Sequence, residues 1–189
     1  MGEPVLTVTV MLMTGEESVS VGQSRDIIHN SKTDFFNAGV KLRVNRIVKM
    51  RDNYAKWNHI GSGNYKLWLH RETAIKMGYN RRNRVYAMLP PMIEDGVKWV
   101  GGFAEDTKCK RNGVAVGNAL WTRTNGTSGL RMSALALSHE TGHLLGCRHQ
   151  DQVDPVTVMH SSVLGYQDRD VRFSPWCSYV IKNCLKGEK

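Results

Sequence analysis

Eleven residues constrain this chain more than any others: His139-Glu140-Thr141-Gly142-His143-Leu144-Leu145-Gly146-Cys147-Arg148-His149. His139 and His143 are four apart, so on a helix they stand on one face, one turn from each other. Two imidazoles so placed can grip one metal ion. Glu140, beside the first, is placed to hold a metal-bound water. Gly146 can take the left-handed backbone that ends a helix. A sharp turn there lets His149 bring a third nitrogen from outside the helix. Three nitrogens leave a fourth position for water, the arrangement of a catalytic zinc site. The competing explanation is a core helix that happens to carry histidines. A chance match to five fixed residues over this stretch is of order one in ten thousand or rarer, which decides for the metal.

Val158-Met159-His160 follows His149 by ten residues. Methionine alone is common core filler. His160 offers another nitrogen, but three histidines and water already complete a tetrahedron, so we assign it a structural role.

The chain has 189 residues, enough for one domain with a real core. No apolar run approaches a membrane span. Val5 to Met13 is short, alternates with threonine and lacks a cationic flank, so it reads as a strand and not as a signal peptide. Cys109, Cys147, Cys177 and Cys184 include no C-x-x-C pair. Their even number suggests two disulfides and an oxidising compartment, with three pairings open. Asn125-Gly126-Thr127 fits a glycosylation sequon and equally a simple turn. The net charge is +9, with clusters at Arg81, Arg82 and Arg84 and at Lys108, Lys110 and Arg111. A basic surface attracts polyanions, but no aromatic-basic interleaving accompanies these clusters. They read as a solvated face, and no nucleic-acid partner is expected.

Both faces of Val5 to Met13 are largely apolar, which suits a buried strand. Val21, Ile27, Ile28, Phe35 and Phe36 recur at helical spacing between Ser18 and Ala38, with Gly39 as a cap. Val40, Leu42 and Val44 alternate with polar residues in a second strand that runs on through Val48. A polar loop over 51–64, a second helix over 65–77 and short strands over 85–89, 97–104 and 113–116 follow. Asn118 to Gly129 is a polar connection into the active-site helix, Leu130 to Leu145. A last helix runs from Pro175 to Leu185, with Ser174 as N-cap and proline at its first position. This order predicts an α/β fold of mixed type, a mixed sheet with helices packed on it.

The histidine motif is that of the metzincin metalloproteases. Val100-Gly101-Gly102-Phe103-Ala104 followed by Cys109 resembles the cleft-side edge strand of the adamalysin or reprolysin group. Phe173-Ser174 with Cys177 and Cys184 resembles that group's closing segment. In its cysteines, Cys147 with Cys177, the chain looks most like secreted reprolysin-like proteases of tick saliva. Gln150 stands where the group usually carries Asp.

The resemblance implies a metzincin fold with a twisted five-stranded mixed sheet. It also implies one catalytic domain over residues 1–189, split into an upper subdomain (1–146) and a small lower one (147–189). Met159 would form the Met-turn beneath the metal. One catalytic Zn2+ is implied. The group also carries Ca2+, for which no ligands can be located here. The disulfides expected are Cys109–Cys184 and Cys147–Cys177. The expected function is a secreted, monomeric zinc endopeptidase without membrane contact. Glu140 would take the proton of the zinc-bound water and pass it to the leaving amine. A peptide would add as a strand along Gly101, Gly102 and Phe103. Ser161, Ser162, Val163 and Leu164 would wall an apolar specificity pocket. The alternative from another class is a catalytically weak, zinc-stabilised binding module of the same fold. A heparin- or nucleic-acid-binding reading rests on charge alone.

Overall fold

The computed structural model describes residues 2–13, 19–50, 84–89, 94–95, 98–99, 102–104, 108–109, 113–117, 126–153, 155–163 and 170–187. Strand β1 (Val5–Met13) carries the core: Leu6, Val8, Thr9, Val10 and Leu12 are all buried. It is flanked on both sides, by β2 (Lys41–Met50) and by β3 (Arg84–Leu89), and both pairings are parallel. The main sheet has the order β2-β1-β3-β7-β6, where β6 is Gly102–Ala104 and β7 is Val114–Gly117. β7 lies parallel to β3, and β6 pairs with it antiparallel. A pair of two-residue strands, β4 (Glu94–Asp95) and β5 (Lys98–Trp99), forms a separate antiparallel ladder. The expected strand over 97–104 is therefore divided between two sheets.

Helix α1 (Val21–Asn37) joins β1 to β2. Ser20 caps it reciprocally with Gln23. The Gln23 N–H donates to Ser20 Oγ at 3.1 Å, and the Ser20 N–H donates to Gln23 Oε1 at 3.0 Å. Its buried face is Ser24, Ile27, Ile28, Ser31, Asp34 and Phe35. Phe36, expected on that face, is 72% exposed, because it falls about 100° round the helix from Phe35.

Helix α2 (Gly126–Leu144) begins four residues before the expected Leu130. Glycine-rich sequence is a poor helix former, but propensity yields to packing where a helix is enclosed. α2 is enclosed: every residue from Ser133 to Gly142 is buried. The small side chains of Ser133, Ala134, Ala136 and Ser138 permit this, and α1, β6 and β7 all pack against the helix. Helix α3 (Pro175–Lys186) starts as its sequence suggests, with the Cys177 N–H donating to Ser174 Oγ at 3.1 Å. Among the described residues no helix is long and apolar enough to cross a membrane. The loop over 51–64, the helix over 65–77 and Asn125 lie outside the described residues.

A disulfide joins Cys109 to Cys184 in α3, across 75 positions of sequence. Closing such a loop restricts the unfolded chain by about 4 kcal/mol. The second expected bond is not formed: Cys147 and Cys177 are buried free thiols. Each S–H has an acceptor instead. Cys147 Sγ donates to the Cys177 carbonyl at 3.7 Å, and Cys177 Sγ donates to Gln150 Oε1 at 3.5 Å. Contact with the Cys177 thiol, together with burial, pushes the Cys147 thiol up and keeps it protonated.

Candidate metal centre

Three imidazoles meet at the end of α2. His139 Nε2 lies 3.1 Å from His143 Nε2 and 3.2 Å from His149 Nε2, and the last two are 3.2 Å apart. They are the metal-competent cluster found among the described residues. The far nitrogens explain what these contacts are. His139 Nδ1 is 2.8 Å from the Val158 carbonyl, and His143 Nδ1 is 2.9 Å from the Cys147 carbonyl. A carbonyl only accepts, so each Nδ1 carries the proton and each Nε2 presents a lone pair. The His139 and His143 lone pairs face each other at 3.1 Å and are not hydrogen-bonded to one another, and His149 Nε2 lies 3.2 Å from both. The three nitrogens are so placed that they could hold one metal ion.

The spacing can be tested against zinc. Zn–N arms of about 2.0–2.1 Å in a tetrahedron put the nitrogens about 3.3–3.4 Å apart. The observed triangle is within a few tenths of an ångström of that. Protonation also favours a metal. Burial lowers the His139 pKa to about 4, opposed by its bond to Val158 and aided by the facing histidines. Burial likewise lowers that of His143. Both rings are thus neutral near pH 7, the form that binds metal.

Local structure brings His149 to the site. α2 ends at Leu144, and Gly146 has φ +98°, a conformation unfavourable for any side chain with a Cβ. The Cys147 N–H donates back to the Gly142 carbonyl at 2.9 Å, which closes the helix end. The Gln150 N–H then donates to the Met159 carbonyl at 3.0 Å, fixing the chain after His149 to the segment below.

Glu140 is buried beside the first histidine, and burial pushes its pKa up to about 8. It is not in the ligand cluster. Nor is His160, whose Nδ1 accepts from the Ser162 N–H at 3.1 Å. Met159 is fully buried under α2, and the Thr157 hydroxyl accepts its N–H at 3.2 Å. β6 ends the main sheet. Gly102 lies in it, Gly101 lies outside the described residues, and of Phe103 the backbone alone is described. Ser161 and Ser162 are exposed, whereas Val163 is buried within the core cluster. Leu164 lies outside the described residues.

One residue that sequence reasoning passed over is Gly142. A Cβ there would lie 2.5 Å from Met159 Sδ and 3.0 Å from Phe173 Cε1. Met159 and Phe173 are both buried and have little room to yield. A glycine inside a helix costs about 1 kcal/mol relative to alanine, so its presence between two ligands was a readable sign of close approach. Gly142→Ala is expected to destabilise the protein by about 1–3 kcal/mol through overpacking. Chemical denaturation of the two forms reads this, and an unchanged midpoint would contradict it.

The fold and the histidine cluster together define a metallopeptidase-type fold with a three-histidine metal site. Two solved structures of archaemetzincins superpose on it. That from Methanopyrus kandleri is 20% identical with a TM-score of 0.64, over 96% of each chain. That from Archaeoglobus fulgidus is 19% identical with a TM-score of 0.57, over 93% of this chain and all of the other. Metalloproteinase-II from Bacteroides fragilis is 14% identical with a TM-score of 0.66; the match covers 99% of this chain and 54% of that one. No family model matches the sequence, and a search of curated proteins finds no match either. These likenesses are to metallopeptidase folds in general and do not single out the adamalysin or reprolysin group.

Proposed function

We propose that this protein is a secreted zinc-dependent endopeptidase. The observation that carries the reading is the triangle of three Nε2 atoms at 3.1–3.2 Å with the buried carboxyl of Glu140 next to it. His139, His143 and His149 would hold Zn2+. When bound, zinc supplies a Lewis acid that polarises a peptide carbonyl and acidifies water near neutrality.

The chain's own part is proton transfer and positioning. Glu140 takes a proton from the attacking water and delivers it to the departing amine. A carboxyl beside the proposed ligands can both accept and return a proton. The Val158 and Cys147 carbonyls orient the His139 and His143 rings, as partners beyond the metal commonly do. Met159 packs against the helix between those two ligands, in the role of a Met-turn. An extended substrate adds alongside β6, the end strand of the main sheet among the described residues. The segment after Met159 would wall the specificity pocket, and an apolar pocket there would place cleavage before a medium or large hydrophobic residue. The cleft runs between an upper subdomain (1–146) and a lower one (147–189).

The Cys109–Cys184 bond supports an oxidising, extracellular setting. With the Gly102 end strand, it also supports kinship to the reprolysin-like group within this fold. The test is cleavage-site sequencing on a denatured protein mixture, with and without a chelator. Chelator-sensitive internal cuts before residues such as Leu are expected. A dominant acidic residue after the cut would sink the apolar pocket. Zinc retained with no cleavage at all would favour the binding-module alternative.

A further inference from the structure

Outside the metal centre, a cavity of about 660 Å³ opens between α1 and β2. It lies at the β2 end of the main sheet, whereas α2 packs against β6 and β7 at the other end as well as against α1. Val21 from α1 and Val44 and Ile47 from β2 form an apolar strip along it. None of the three is fully buried, and Val44 is 38% exposed. Arg25 and Lys32 stand on the same wall of α1, seven residues and two turns apart, and Arg46 faces them from β2. Asp26 is the one carboxylate among the described lining residues. Neither Arg25 nor Lys32 has an ion-pair partner among the described residues.

From this arrangement we propose that the α1–β2 cavity is a binding site for a small amphiphilic anion: one sulfate, phosphate or carboxylate head on an apolar body. The volume is that of a small-molecule site. Arg25 and Lys32, which have no ion-pair partner among the described residues, outnumber Asp26 and favour a negative head. The exposed valine and isoleucine surface rewards an apolar body at about 25 cal/mol per Å2 covered. A long sulfated polysaccharide would use the cations but leave the apolar strip unmatched, so the concave, partly apolar lining favours the small ligand.

Octyl sulfate is the probe, titrated calorimetrically into the full chain below its micelle concentration. Octanol and inorganic sulfate test each half of the ligand alone. Saturable binding at one site is expected for octyl sulfate, with weaker binding of either half. Arg25→Glu with Lys32→Glu should weaken it about tenfold or more, since two exposed attractions become repulsions. Peptide cleavage should not change, because neither residue belongs to the metal centre. Side-chain methyl NMR on the unaltered protein, following Val21, Val44 and Ile47, tests the location without any variant. Octanol binding as tightly as octyl sulfate, or shifts elsewhere, would overturn the proposal. So would heparin or anionic phospholipid vesicles binding through Arg25 and Lys32 while octyl sulfate does not.

Discussion

Glu140→Gln is expected to lower kcat/KM for a cleaved peptide by about 10²–10⁴-fold while one zinc per chain stays bound. The argument is geometric. The histidine cluster is complete without Glu140, so the metal has no reason to leave with the carboxylate. Gln has nearly the same shape but cannot take a proton, and the proposed reaction needs that proton moved twice. Burial is the sole cause raising the Glu140 pKa. Metal analysis and kinetics on the same sample check both halves. Loss of zinc together with activity would make Glu140 a ligand or a structural prop, and full activity would remove it from the chemistry.

The largest effect on stability is expected at Asp34. Its carboxylate is buried between α1 and α2. Oδ2 accepts from Ser138 Oγ at 2.7 Å and from Arg131 Nη1 at 3.0 Å. Oδ1 lies 2.7 Å from Arg131 Nη2 but has no well-aligned hydrogen bond, so that contact is ionic attraction. Arg131 also donates to the Val171 carbonyl at 3.4 Å. One carboxylate thus ties α1 to the residue before His139 and to the strand-like segment that bridges Thr157 at Arg172. Asp34→Ala would leave Arg131 and Ser138 without that partner. A loss of about 3 kcal/mol is expected, at the low end for a broken buried pair because Arg131 is partly exposed.

Asp34→Asn should cost less, and its cost should shrink as pH rises. Burial raises the Asp34 pKa, and the opposing pull of Arg131 and Ser138 does not fully offset it. A carboxyl with a raised folded pKa contributes stability below its unfolded pKa and loses it as pH rises through the folded value. Denaturant unfolding of the three forms across that range reads both effects. A cost for Asp34→Asn that grows with pH would mean that the ionised pair, not its burial, dominates.

The three-histidine cluster and the helix that carries two of its members were legible because they are local. A spacing of four puts His139 and His143 on one helix face whatever surrounds it, and Gly146 marks the helix end in any context. The Ser174 cap and the buried character of Val5 to Met13 were legible for the same reason. What failed depended on contacts across the chain. α2 starts at Gly126 because a helix enclosed by α1, β6 and β7 is held by packing rather than by propensity. Gly142 is required by Met159 and Phe173, which lie 17 and 31 residues further on. Cys147 and Cys177 were paired from resemblance, but each thiol has a neighbouring acceptor that sequence could not supply. The Asp34–Arg131–Ser138 tie joins residues about a hundred positions apart, and only folding brings them together. Sequence alone therefore picked out the three histidines that meet at the end of α2. The tertiary structure decided how the His139 and His143 rings are oriented, because carbonyls from Val158 and Cys147 set their tautomers, and the Val158 carbonyl is brought there from 19 residues away.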